Sequence, residues 1–182
     1  MPRYVAFLRA INVGGAHTVK MDDLRRAFEE LGFSAVGSFI ASGNIIFETP
    51  ARNTSALEER IEGGLSQVLG LDATPFIRTG PELSRIAGFK PFPASAMGAG
   101  DGLNVIFLST PPGTSARATF KAFHSEAEEF QLRGREIYWL RHRTADGIPY
   151  STLALNKALA EHFTIRSMNT VRKISEKYFA AE

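Results

Sequence analysis

The chain has 182 residues, of which 44% are hydrophobic and 22% are charged, a composition typical of globular proteins and not of disordered or fibrous ones. It contains no cysteine, which excludes disulfides, thiolate metal sites and cysteine nucleophiles. The formal net charge of +2 neither requires nor forbids a polyanionic partner.

The N-terminal segment begins with an apolar, aromatic run at residues 3–8, which is typical of a buried strand. The sequence INVGG that follows predicts a loop. Apolar residues then recur at spacings of three and four from Met21 to Leu31, and Gly32 supplies a stop, which predicts a helix. No apolar run approaches the roughly 18 residues needed to span a bilayer. We therefore expect a soluble, cytoplasmic protein without a membrane partner.

Two β-rich runs follow at 35–41 and 44–48, and Ser42-Gly43 between them suits a tight hairpin because glycine accepts a positive φ. Ser55 and Glu58 have the spacing of a capping box for a second helix. A strand at 74–79 and a short helix that starts at Pro81 complete the order βαββαβ plus one helix.

Residues 89–102 are rich in proline, glycine and alanine and lack periodicity, which predicts a linker. The same order of elements is repeated after it. Strands are predicted at 103–109, 129–132, 136–142 and 163–166, and helices at 115–123, around 155–159 and around 171–178.

Two triplets, Ile77-Arg78-Thr79 and Ile165-Arg166-Ser167, each end a predicted strand before a helix. With the matched element order, this similarity predicts an internal duplication. The fold class is therefore α+β, with two consecutive ferredoxin-like (βαββαβ-type) halves, each with an antiparallel sheet and an extra helix. We expect a first half at 1–88, a linker at 89–102 and a second half at 103–182. One continuous mixed sheet without true repeats is the alternative.

In a ferredoxin-like half, the loop after the first strand and the hairpin turn lie at the same end, beside the first helix. Backbone N–H groups, amides and cations there would suit an anionic or polar ligand. Conversely, Asp22 and Asp23 in the first helical turn would repel an anion, and the glycines would serve the turn alone. The predicted ligand-binding residues are Arg9, Asn12, Gly14, Gly15, Lys20, Ser42, Gly43 and Asn44, with His17 nearby.

A second candidate site is predicted where the loop at 146–152 meets the run at 164–170. An arginine among hydroxyls at a helix start suits phosphate or carboxylate. The competing interpretation is that the small polar residues are plain N-caps and that the arginine pairs with Glu161. The residues of this site are Ser151, Arg166, Ser167, Asn169 and Thr170.

The hairpin at 133–143 interleaves Tyr138 and Trp139 with arginines, a pattern that suits single-stranded nucleic acid. A solvated basic face with at least one aromatic residue in the core is the interpretation that alternation favours. Nucleic acid is thus an alternative partner, ranked below a small anionic ligand.

No conventional catalytic set is found. The four histidines lack metal-ligand spacing, and no carboxylate pair or nucleophile elbow can be assigned, so neither a metal nor a cofactor is expected. An enzyme acting on an anionic substrate stays an open alternative, with Arg9, Lys20 or Arg166 as oxyanion stabilisers. The sequence leaves the oligomeric state open.

The N-terminal run RYVAFLRAINVGG, followed by VKMDDLR, LGF and SGNIIF, closely resembles the bacterial domain-of-unknown-function family 1697 (DUF1697). The later blocks LRGREIY and MNTVRK are similar to that family as well. The resemblance implies a small bacterial protein with a duplicated ferredoxin-like architecture, and it carries no established activity, cofactor or catalytic residue.

The function expected from the loop and hairpin of the first half is the binding of a small anionic or polar ligand, a nucleotide or a phosphorylated metabolite.

Overall fold

A computed structural model describes residues 1–9, 19–123, 125–143, 153–160 and 162–180. Within these ranges, none of the helices combines the length and the apolar character that crossing a bilayer requires. The strands are β1 (Arg3–Leu8), β2 (Ser34–Ser38), β3 (Asn44–Glu48), β4 (Pro75–Thr79), β5 (Gly102–Phe107), β6 (Glu128–Arg133), β7 (Glu136–Arg141) and β8 (Thr164–Ser167). The α-helices are α1 (Met21–Glu30), α2 (Thr54–Leu69), α3 (Gly80–Gly88), α4 (Thr114–Ala122), α5 (Leu153–Leu159) and α6 (Met168–Tyr178), and a short 3₁₀ turn spans Ala94–Ala96.

The strands form two four-stranded sheets, with the orders β2-β3-β1-β4 and β6-β7-β5-β8. Every neighbouring pair is antiparallel. Counted from the first strand of each half, the two orders are the same. The fold is therefore α+β and consistent with two repeated halves.

Helices α1 and α2 cover one face of the first sheet, because the apolar residues at helical spacing meet alternate residues of the strands. Val5 and Phe7, which point to the opposite face of β1, are also fully buried. Burial on both faces explains why β1 is a continuous apolar run without alternation. The core on the helical face includes Tyr4, Ala6, Leu24, Phe28, Phe47, Leu57, Ile61 and Ile77.

The second sheet carries its own core, in which Phe130 stacks on Trp139 with ring centroids 5.8 Å apart. Phe120 of α4 packs against Phe130 at 5.2 Å. Each buried aromatic ring contributes about 1.5–3 kcal/mol through the area removed from water. The residues Ile106, Ile137, Leu155 and Phe163 belong to the same core.

Two compact units divide the described chain: residues 1–86 with 174–182, and residues 87–173. The last part of α6 thus belongs to the first unit, where Arg3 Nη1 donates to the carbonyl oxygen of Tyr178 at 2.6 Å. The limits inferred from the sequence, with a linker at 89–102, stay a prediction.

Two local predictions in the first half are wrong. Strand β2 ends at Ser38 and not at 41, because Ile40 takes a left-handed φ of 51° and the chain bends there into the hairpin turn. The predicted capping box at Ser55 is replaced by an N-cap at Asn53, whose Oδ1 accepts from the backbone N–H of Ala56 at 3.1 Å. Glu58 instead accepts a hydrogen bond from Ile77 N at 2.8 Å, which ties α2 to β4.

Candidate functional site

At the end of β1 the chain leaves the first sheet between the starts of two neighbouring strands. The backbone N–H of Leu8 donates to Gly43 O at 2.8 Å, and that of Arg9 donates to Thr74 O at 2.9 Å. The end of β1, which precedes the predicted ligand loop in the sequence, therefore lies directly beside the hairpin turn. Asn12, Gly14, Gly15 and His17 lie outside the described residues.

The turn between β2 and β3 is held by Asn44, which is fully buried at the first position of β3. Its side-chain Nδ2 donates to Phe39 O and to Ser42 Oγ, both at 2.9 Å. Gly43 adopts the positive φ of 71° that the sequence predicts for it. The Asn44 side chain thus orders the turn from inside, while Ser42 is half-buried.

Helix α1 begins after Lys20, which is exposed and whose side chain forms no cap hydrogen bond. The acids of the first turn each have an arginine partner: Asp22 pairs with Arg25, and Asp23 lies 3.8 Å from Arg26 Nη1. Arg25 Nη1 also donates to Ser38 Oγ at 2.7 Å, which connects the helix to the end of β2. The negative charge of these two aspartates, which would repel an anion at the start of α1, is therefore partly neutralised.

The second predicted site differs from the first because its arginine is buried. Arg166 lies on β8 with about nine-tenths of its surface covered, and its Nη1 donates to Thr164 Oγ1 at 2.9 Å and to Ile165 O at 2.8 Å. Burial lowers the pKa of Arg166 to about 10. The guanidinium is thus part of the interior and is not displayed at the start of α6.

The N-cap interpretation is confirmed for Ser167, whose Oγ accepts from the backbone N–H of Thr170 at 3.1 Å and donates to its Oγ1 at 2.9 Å. Asn169 is exposed in the first turn of α6, one residue after the helix begins. Ser151, like Glu161 and the loop at 146–152, lies outside the described residues.

The basic hairpin consists of β6, β7 and the turn at Gly134, which has a φ of 61°. Tyr138 and Trp139 are both buried, with exposed fractions of 2% and 0%. The guanidinium of Arg133 lies 4.3 Å from the ring centroid of Phe89 in a cation–π contact. The aromatic rings of these two strands are therefore not exposed for stacking on nucleic-acid bases. Nucleic-acid binding stays a prediction.

No sequence pattern indicated the cluster that surrounds His142. The Nδ1 atom of this histidine lies 2.8 Å from Asp101 Oδ2, and its Nε2 lies 2.9 Å from Glu129 Oε1. The two carboxylates, Glu129 first, raise the pKa of His142. Backbone N–H groups of Arg143 and Gly98 and the imidazole lower the pKa of Asp101 to about 2. The sheet register brings these distant residues together.

Two further concavities lie in the second unit. One, of about 290 Å³, is mostly apolar and occupies the end of β5, lined by Leu108, Pro112, Ala116, Leu159 and His162 among others. The other, of about 270 Å³, lies between α4 and β6 and is lined by Arg117, Lys121, Phe130, Gln131 and Leu132. In the described part of the chain, no group of three histidine or acidic residues has the arrangement of a metal site.

Comparison with known proteins places the chain in a family. Residues 1–138 match the family described as "Protein of unknown function (DUF1697)". The chain belongs to the DUF1697 family. The match ends before the MNTVRK block, so the resemblance of that block lies outside it. No curated protein matches the sequence.

A solved structure is similar to this chain over almost its whole length. The conserved bacterial protein SP0830 from Streptococcus pneumoniae is 25% identical in sequence and matches with a TM-score of 0.73. The similarity covers 96% of this chain and 97% of that protein. SP0830 is described as a conserved bacterial protein, without a ligand or a reaction, so the similarity bears on the fold.

Proposed function

We propose that this DUF1697 protein binds a small anionic or polar ligand, such as a nucleotide or a phosphorylated metabolite, at the end of the first sheet where β1 leaves it. The observation that carries the proposal is the hydrogen bond from Leu8 N to Gly43 O at 2.8 Å. It places the end of β1, which precedes the glycine-containing sequence at 10–18, beside the Ser42-Gly43 turn, where a glycine allows close approach of a ligand to the backbone.

The charges at this end support an anion. In the sequence, Arg9 directly precedes residues 10–18 and Lys20 lies two residues after them. The N-terminus of α1 carries partial positive charge and has no side-chain cap from Lys20. Because Asp22 and Asp23 are both paired with arginines, their repulsion of an anion is reduced.

The roles within the site differ from one residue to the next. Asn44 contributes by holding the turn in place, because its buried amide donates to Phe39 O and to Ser42 Oγ. Lys20 is exposed and is the described cation best suited to screen an anion by charge alone. Asn12, Gly14 and Gly15 complete the proposed binding set.

The test is a thermal-shift screen with inorganic phosphate, AMP, ATP, ribose 5-phosphate and glucose 6-phosphate. A ligand at about a hundredfold its Kd adds roughly 2.7 kcal/mol, which raises Tm by roughly 5–10 °C for a chain of this size. Lys20→Ala should reduce the shift. Arg52→Ala, which removes the same charge from an exposed position between β3 and α2, should leave it unchanged. Absence of any shift, or equal loss in both variants, would refute the proposal.

We propose in addition that each half is ferredoxin-like and that the halves arose by duplication. The equal strand orders, all antiparallel, support this. So does a shared detail at the ends of β4 and β8: Arg78 and Arg166 each donate from Nη1 to the preceding carbonyl oxygen at 2.8 Å. Thr79 and Ser167 then cap the following helices through their side-chain oxygens.

A further inference from the structure

Strand β6 forms one edge of the second sheet and is regular along its whole length. Its six residues pair with β7 in unbroken register from Glu128–Arg141 to Arg133–Glu136. Because Arg133 and Glu136 flank a two-residue turn, they form a hydrogen-bonded pair, and Leu132 next to them directs its N–H and C=O outward. Among the described strands, none lies beside β6 on its outer side.

The corresponding edge of the first sheet, β2, is built differently. Its pairing with β3 is interrupted between Ser34 and Gly37, and Ala35 takes a positive φ of 47°. Such irregularities protect an edge from pairing with another chain. The same position in the fold is thus irregular in one unit and regular in the other.

A groove runs beside the regular edge. The cavity of about 270 Å³ between α4 and β6 is lined on its helical side by Arg117 and Lys121. These residues are four apart on α4, so they share one helix face, and both are exposed. Arg117 Nε donates to Pro112 O at 3.0 Å, which fixes the guanidinium in place. None of the residues that line this cavity is acidic.

We infer that this groove receives an extended acidic peptide segment of a partner protein, which adds to the sheet as a fifth strand beside β6. The strand edge supplies backbone hydrogen bonds, and the cavity accepts alternate side chains of the peptide. In an extended peptide every second side chain points the same way, so carboxylates at alternate positions face Arg117 and Lys121. Charge complementarity selects an acidic segment over a basic one.

The test uses an acetylated, amidated eight-residue peptide with glutamate at alternate positions and valine between them. Its binding is measured by fluorescence polarisation at low ionic strength, where exposed charges are least screened. Three probes serve as comparisons: the same peptide with lysine in place of glutamate, an analogue N-methylated at alternate amides, and a single-stranded octanucleotide. We expect the acidic peptide to bind and the N-methylated and lysine peptides to bind at least about tenfold more weakly.

On the protein side, the double variant Arg117→Glu, Lys121→Glu should weaken peptide binding at least about tenfold, and the glutamine pair should weaken it less. Lys173→Glu, Lys177→Glu, which reverses two exposed charges four residues apart on α6, is the matched control and should have no effect. Amide NMR signals of Gln131 and Leu132 should shift on binding, and circular dichroism confirms that each variant is folded. Equal affinity for the lysine or N-methylated peptide, binding of the oligonucleotide alone, or no binding at all would overturn the inference.

Discussion

At the residue scale, the two arginine triplets show what a short sequence similarity means physically. Arg78 is fully buried and Arg166 nearly so, and both use a guanidinium nitrogen to satisfy the carbonyl of the residue before them. Buried charges persist only where hydrogen bonds compensate for lost hydration. The sequence indicated that the two triplets are similar and that a helix starts after each. A triplet of this kind is equally compatible with an exposed anion site, because three residues do not determine whether the arginine is buried.

Adjacent glycines in α2 give a matched test of packing. A Cβ at Gly63 would meet no atom within 4 Å, whereas one at Gly64 would lie 2.6 Å from Leu31 Cδ1 and closer still to Cδ2. Gly63→Ala should stabilise the protein by about 1 kcal/mol through helix propensity. Gly64→Ala gains the same term but overpacks against Leu31, at a cost of about 1–3 kcal/mol.

The free energies of unfolding from urea titration should therefore place Gly64→Ala about 1–3 kcal/mol below Gly63→Ala. Two variants of equal stability would mean that Leu31, which is only half-buried, moves aside without loss.

At the element scale, the β6–β7 hairpin agrees with the interpretation that alternation favours, in which at least one aromatic residue belongs to the core. Trp139 points into the helical face of the sheet and Tyr138 is buried on the other face, while Arg133 is exposed. Arg133 and Arg141 lie on aromatic rings, with Arg141 4.8 Å from the Trp139 centroid. The aromatic residues of β7 thus pack in the core on both faces of the sheet, and the outer edge of the hairpin is the edge of strand β6.

The His142 cluster joins the ends of β6 and β7 to the residues before β5 and makes stability depend on pH. The pKa of His142 is raised in the fold, so its stabilisation is fully present below the unfolded value of about 6.5 and is lost as pH rises through the folded pKa. The pKa of Asp101 is lowered from 3.8 to about 2, so its contribution is present above about 3.8 and is lost as pH falls toward 2.

Between about pH 5 and pH 9, the free energy of unfolding of the wild type should fall further than that of His142→Asn. The extra fall should not exceed about 1 kcal/mol, because solvent screens partly exposed ion pairs. His162→Asn, an exposed histidine in the same unit, should retain the wild-type dependence. The cluster has no role in stability if His142→Asn and the wild type have parallel pH profiles.

At the scale of the whole molecule, the end of the chain belongs to the unit in which the chain begins. Residues 174–182 are assigned with residues 1–86, and Tyr178 contacts that unit in several ways. Its carbonyl oxygen accepts from Arg3, its hydroxyl donates to Ser38 O at 3.2 Å, and its ring lies 6.5 Å from that of Phe39. The first unit is therefore incomplete without the C-terminal residues.

Truncation after Lys173 should lower the free energy of unfolding by at least about 4 kcal/mol, because it removes the buried side chains Ile174 and Phe179 and the partner of Arg3. Tyr178→Phe, which loses only the hydroxyl bond to Ser38, should cost about 1 kcal/mol. Hydrogen exchange should report the loss at Arg3 and along β2. A truncated protein with wild-type exchange there would contradict this assignment.

The sequence by itself determined the order of the elements in this DUF1697 chain, because strand and helix periodicities, Gly43 and the Ser167 cap act over a few residues. Only the tertiary structure decided which polar side chains are exposed and could contact a ligand. Asn44 and Arg166 were predicted as ligand groups but are buried in local hydrogen bonds, and the strand-edge groove between α4 and β6 left no motif at all. Burial and strand register depend on contacts between residues distant in the chain, and local patterns carry no record of them.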